Sequence, residues 1–139
     1  MKFLILIVFL NGCASIGTYK TTSYEEDDYT KVSIDKILEN PNLYHEKKIE
    51  LNGYFFYGLE EAAITNDKSS SVKQRIWIDF DYKKNLLDNN NNELFAKNKL
   101  LDCSNKKIKI KGVFSKENKG HLGIYIGALT NITYFGDEK

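Results

Sequence analysis

The sequence predicts a mainly β protein: a small five-stranded barrel with a short helix before its first strand and a second helix between strands three and four. Period-two alternation of apolar and polar residues recurs in separate segments along the chain. Glycines interrupt several of those segments, as they do where strands must coil to close a barrel. Tyrosine (9) and phenylalanine (8) are abundant, a composition suited to pleated, half-buried surfaces. At 139 residues the chain fits one domain.

The N-terminus comes first. Lys2 and the apolar run "FLILIVFL" form a positive segment followed by a hydrophobic one, far shorter than the roughly 20 residues a spanning helix needs. This reads as a secretory leader. Leu10-Asn11-Gly12-Cys13 resembles a bacterial lipobox, with Leu10 and Gly12 as the signal-peptidase recognition residues and Asn11 where a small or branched residue is commoner. The resemblance implies cleavage after residue 12 and acylation of Cys13, which makes membrane lipid the first expected partner. Two or more acyl chains anchor stably, at roughly 0.8 kcal/mol per buried methylene. An Asp after the cysteine would favour inner-membrane retention in a Gram-negative cell. Ala14 therefore implies the periplasmic face of the outer membrane there.

Residues 13–31 are polar, lack apolar periodicity and include the acidic run 25–28, so they are expected to form a flexible tether. The four carboxylates lack the glycine and spacing of a calcium loop. The barrel domain is expected over residues 32–136. It opens with "VSIDKILENPNLY", where Ser33 caps a helix, Ile34, Ile37 and Leu38 share its face and Pro41 ends it.

The strands follow. "KKIELNGYFFYG" points Ile49, Leu51, Gly53 and Phe55 one way, with a bulge or bend expected at Gly53. "AAIT" supplies a short second strand and "RIWIDF" a third, with Ile76, Ile78 and Phe80 inward. "NLLDNNNNELFAKNKLLD" reads as a loop plus a short helix. "KKIKIKGVF" turns Ile108, Ile110, Gly112 and Phe114 inward and its lysines outward, and "GIYIGALTNITYF" is a last long strand kinked at Gly127. Five strands with a helix between the third and fourth describe an OB-fold-like barrel. The segments "VSIDKILENPNLYHEKKIELNGYFF", "RIWIDF", "KIKIKGVF" and "GHLGIYIGALTNI" together resemble OB-fold domains of the tRNA-anticodon-binding-like type. Such domains recur in bacterial lipoproteins of unknown function. Glu46-Lys47 stands where Gly-Lys is common in them.

Charge bounds the function. The formal net charge is +1, and without Lys2 the chain has 19 basic and 19 acidic side chains, no excess for a phosphate backbone. Tyr54, Tyr57, Trp77 and Tyr125 lie opposite the apolar sets and are candidate ligand-binding aromatics. Lys107, Lys109 and Lys111 form a compact basic row, read chiefly as a solvated face that could pair with Glu50 or Asp79. His121, flanked by Gly120 and Gly123, could serve a ligand, although a turn needs such glycines in any case. With Cys13 acylated, Cys103 has no disulfide partner and reads as a small buried apolar residue. No catalytic residue, metal ligand or cofactor is expected. The sequence thus points to a lipid-anchored cell-envelope protein that works as a non-enzymatic binding or assembly module. Envelope proteins or a cell-wall glycan are its expected ligands. The alternatives are an oligonucleotide-binding barrel and a hydrolase-type enzyme using His121.

Overall fold

Isoleucine, leucine and phenylalanine at alternate positions build the barrel wall. The computed structural model describes residues 15–138. Its strands are β1 (Thr18–Lys20), β2 (Thr30–Lys31), β3 (Lys48–Tyr57), β4 (Ala62–Thr65), β5 (Ile76–Ile78), β6 (Lys107–Ser115) and β7 (Ala128–Asp137). Three short helices accompany them: α1 (Ile34–Glu39), α2 (Pro41–Tyr44) and α3 (Lys99–Asp102). Leu10, Gly12 and Cys13 lie outside the described residues.

β3 pairs antiparallel with β4, and β4 with β5. β5 runs parallel to β7, which pairs antiparallel with β6. β6 returns to β3 and closes the ring. The five strands β3 to β7 therefore make the closed, OB-like barrel that the sequence predicts, and closure leaves no long edge among them. Ile49, Leu51, Phe55, Ile64, Ile76, Ile78, Ile108, Ile110, Phe114 and Phe135 fill the interior.

The helices stand where the sequence puts them. Ser33 caps α1 by accepting from the Lys36 amide at 3.3 Å, and Ile34 and Ile37 are fully buried. Asn40 breaks the helix before Pro41, which starts α2 rather than a simple turn. α3 lies between β5 and β6. Gly53 produces no bulge. Its strand passes so close to β4 that a Cβ would sit 2.6 Å from the Thr65 carbonyl oxygen. The register shift falls in β6 instead, between Lys111 and Val113, around Gly112. β7 begins at Ala128, so Gly127 precedes the strand rather than kinking it.

The largest correction concerns the expected tether. Residues 15–31 lie on the barrel. β1 pairs antiparallel with β7 through Thr18↔Gly136, Tyr19↔Phe135 and Lys20↔Tyr134, and β2 pairs parallel with β3. Ile16 and Tyr19 join the core. The Asp137 carboxylate accepts from the Ser15 hydroxyl at 2.6 Å and from the Ile16 and Gly17 amides at 3.0 and 3.1 Å. The folded unit thus includes residues 15–31 and does not start at residue 32. Two apolar residues three apart carry no strand periodicity, and their partner is the far end of the chain.

The barrel has two distinct ends. At one, β3 and β7 finish, β6 begins, and the turn after α3 is pinned by the Asn105 amide on the Phe55 carbonyl (2.7 Å) and the Tyr57 amide on Ser104 Oγ (2.9 Å). Ser15 enters at this end, beside Asp137. At the other end β3 starts, β6 gives way to the 116–127 loop, and the Glu46 amide bonds the Phe114 carbonyl at 2.7 Å.

Candidate functional site: the β4–β5 groove

Turn 58–61, between β3 and β4, and loop 116–127, between β6 and β7, meet across the face of β4 and β5. The result is a groove of about 280 Å³ lined by Tyr57, Glu60, Trp77, Asp79, Tyr82 and His121 among others. OB-type barrels take oligonucleotides or oligosaccharides on this face. The alternation in "IWIDF" turns Ile76, Ile78 and Phe80 into the core, so Trp77 and Asp79 must face outward.

Trp77 is half-buried. Its ring packs on Tyr125 at 5.1 Å between centroids and on the backbone of Gly120. Gly120 has φ +66°, and a Cβ there would lie 2.6 Å from the indole ring. That position needs glycine on both counts. Asn118 holds the loop down by donating from Nδ2 to Asp79 Oδ2 at 2.9 Å and by accepting the Gly120 amide at Oδ1. Asp79 is thus committed to the loop rather than to the lysine row.

At the rim, His121 Nε2 stands 3.6 Å from Glu60 Oε2, with both side chains substantially exposed. Glu61 is taken up by Arg75, whose guanidinium also bonds Ser70 and stacks on Phe56 at 4.6 Å. Tyr125, expected on an exposed face, is instead buried at 5% exposure. Burial, with the Glu61 charge as a lesser cause, raises its phenol pKa. Tyr82 is hydrogen-bonded to Tyr57, and desolvation followed by that contact pushes its pKa up to about 12. Both phenols are therefore neutral donors at physiological pH.

The structure sorts the expected ligand residues into two sets. Tyr57, Trp77 and His121 line the groove, and Tyr125 is buried against Trp77. Tyr54 belongs with the lysine row, its ring 5.3 Å from Lys107 Nζ and 5.0 Å from Lys68 Nζ. The row is not a uniform solvated face. Lys107 is exposed and lies 4.0 Å from Glu138, and Lys109 is half-buried. Lys111 is buried at 5% exposure, its ammonium over the rings of Tyr24, Tyr29 and Tyr134 at 5.0, 5.9 and 4.8 Å, bonded to the Tyr24 hydroxyl and 3.5 Å from Glu50. Burial alone would lower its pKa, but the Tyr24 hydroxyl and the Glu50 charge outweigh it and raise it. These groups, drawn from β3, β6, β7 and residues 24 and 29, fill one another's needs, and none of them lines the groove.

Other candidates fall to structural roles. Cys103 is buried and burial raises its thiol pKa, which disfavours the nucleophilic thiolate. His45 accepts the Lys116 amide at Nδ1, fixing the link between β6 and its loop. Asp28 of the acidic run pairs with Lys48 at 3.2 Å. Among the described residues no group of three or more His, Cys, Asp or Glu could hold a metal, and no helix is long and apolar enough to cross a membrane. A second cavity of about 550 Å³, between residues 21–23, 83–87 and 131–133, is lined mainly by hydroxyls, amides and two lysines.

Sequence reasoning missed Glu60, Tyr82 and the fastening role of Asn118. The alternation of "RIWIDF" placed Asp79 outward, but nothing local tells that a loop forty residues away comes to rest on it. Comparison with protein-family models, with curated proteins and with solved structures found no match.

Proposed function

We propose that this is a lipid-anchored cell-envelope protein that acts without catalysis as a binding or assembly module, its β4–β5 groove taking a cell-wall glycan. The observation that supports the ligand class is the company Trp77 keeps. One groove combines aromatic surface, neutral phenol donors and the carboxylates of Glu60 and Asp79. Sugars present apolar C–H faces and hydroxyls, which such a mixture satisfies by stacking and hydrogen bonding. A nucleic-acid backbone would instead meet carboxylates in the groove, with the lysine row on β6 outside it. The barrel topology supports the same reading, because this is the face OB-type barrels use. The lipobox resemblance of Leu10, Gly12 and Cys13 supports the compartment, the periplasmic side of the outer membrane in a Gram-negative cell. An envelope-protein segment is the second ligand the module could assemble with.

Trp77 is the chain's single tryptophan and its own reporter. Titration with soluble peptidoglycan fragments is expected to change its fluorescence saturably, and His121→Ala is expected to weaken that response. Single-stranded oligonucleotides are expected to leave it unchanged at moderate salt. A saturable, salt-sensitive quench by oligonucleotides with none by glycan would overturn the reading. A turnover abolished by His121→Ala in a folded protein would overturn the non-enzymatic assignment.

A further inference from the structure

The barrel end at which Ser15 enters carries a depression of about 390 Å³ with Leu100, Phe95, Tyr57 and Tyr82 in its lining, beside Lys97 and Asn98. Leu59 and Leu101 also line it, at 102% and 53% exposure, on the β3–β4 turn and on α3 respectively. Tyr82 adds a further ring at 58% exposure. Cys103, at the C-terminus of α3, lies close enough to Asp137 to feel its charge, so α3 and the Ser15–Asp137 clasp share this end.

Chain geometry then sets a distance. Ser15, Ile16 and Gly17 are bound to the Asp137 carboxylate, and only Ala14 separates Ser15 from Cys13. Two steps of extended chain reach at most about 7 Å. With a polar tether of eighteen residues the barrel could take any orientation above a membrane; with one intervening residue it cannot.

We propose that this end of the barrel docks on the bilayer surface that holds Cys13, with Leu59 and Leu101 seated among the headgroups and Tyr82 at the interface. The inference rests on the lipid-anchor reading and adds an orientation to it. Leucine side chains and a tyrosine suit the boundary between acyl chains and water. Charge at this end is mixed, Lys97, Lys106 and Lys107 standing with Asp102 and Glu138, so the acyl chains and not electrostatics bring the face to the lipid. Exposed Leu43 on α2 stands at the opposite end, where β3 starts, and is held away from the membrane. The groove adjoins the docked face, since Tyr57, Leu59 and Tyr82 line both, and its Trp77 wall is left open to ligands of the surrounding envelope.

The test uses the full chain produced in a bacterium, its Cys13 acylation read by intact mass, in vesicles of phosphatidylethanolamine and phosphatidylglycerol. In a Cys103→Ala background, Leu59→Cys, Leu101→Cys and Leu43→Cys each carry one environment-sensitive fluorophore, quenched by lipids spin-labelled near the headgroup. Labels at 59 and 101 are expected to shift blue and lose about half of their emission or more, while that at 43 stays as in water. Acylated protein with all three labels equally exposed, or with position 43 quenched most, overturns the docking face and leaves the anchor standing. An unmodified Cys13 overturns both.

Discussion

Two constellations of aromatic rings and charges stand on different walls of the barrel, and they have opposite fates. On β6, Lys111 puts its ammonium into a cage of Tyr24, Tyr29 and Tyr134 and meets Glu50 beneath it. On β5, Trp77 meets Tyr125, Gly120 and a rim of Glu60 and His121 that faces solvent. In the first, every cation–π face and charge is answered from within the chain. In the second, stacking surface and carboxylates remain turned outward. Aromatic residues beside charges therefore do not by themselves mark a binding site. What marks it is unanswered chemistry on a shaped surface.

The sharpest way to break this contrast is Lys111→Met, which leaves Glu50 half-buried without its cation and the rings with only Lys20 and Lys48 over them. A loss of about 3 kcal/mol in urea unfolding is expected, with at least part recovered when Glu50→Gln is added. A cost near zero would mean that the cage is not a structural fastening. Next comes Gly120→Ala. The new methyl group meets the indole of Trp77 at φ +66°, so about 2 kcal/mol should be lost and the tryptophan emission should move to the red as the loop lifts. Unchanged emission would show that the groove does not depend on that backbone approach.

The smallest expected effect lies in alkaline solution. The folded-state pKa of Tyr82 is raised above its ordinary value of 10.0 to about 12. Its contribution to stability is then fully present below about pH 10 and lost as pH rises toward 12. The raised pKa of Lys111 acts in the same sense, its contribution fading above the ordinary lysine range. Spectrophotometric titration should find late-ionising phenols, Tyr82 and Tyr125, of which Tyr82→Phe removes one, and that variant should flatten the alkaline fall in stability.

The contrast also explains how far the sequence could be read. Alternation in "KIKIKGVF" and "IELNGYFF" decides which face is inside, because a strand repeats every two residues and burial sorts it. The same alternation assigned Lys111 and Tyr125 to solvent, since it reports the direction of a side chain but not what later covers it. Lys111 is covered by residues 24 and 29, and Tyr125 lies against the Trp77 wall. The cover of Lys111 comes from a polar stretch without periodicity, and Tyr125 belongs to a glycine-rich loop that folds onto β5. The strap of residues 15–31 was illegible for the same reason. Three residues of strand beside β7 need no pattern of their own when the partner strand supplies the register.

Asp137 joins two distant stretches of chain: its carboxylate bonds residues 15–17, 120 and more positions back along the sequence. Without β7, β1 has no partner strand and the cage around Lys111 lacks Tyr134. Contacts so far apart are slow to form, because a long loop must close before any of them is rewarded. The N-terminal strand therefore settles on the barrel only once β7 is in place.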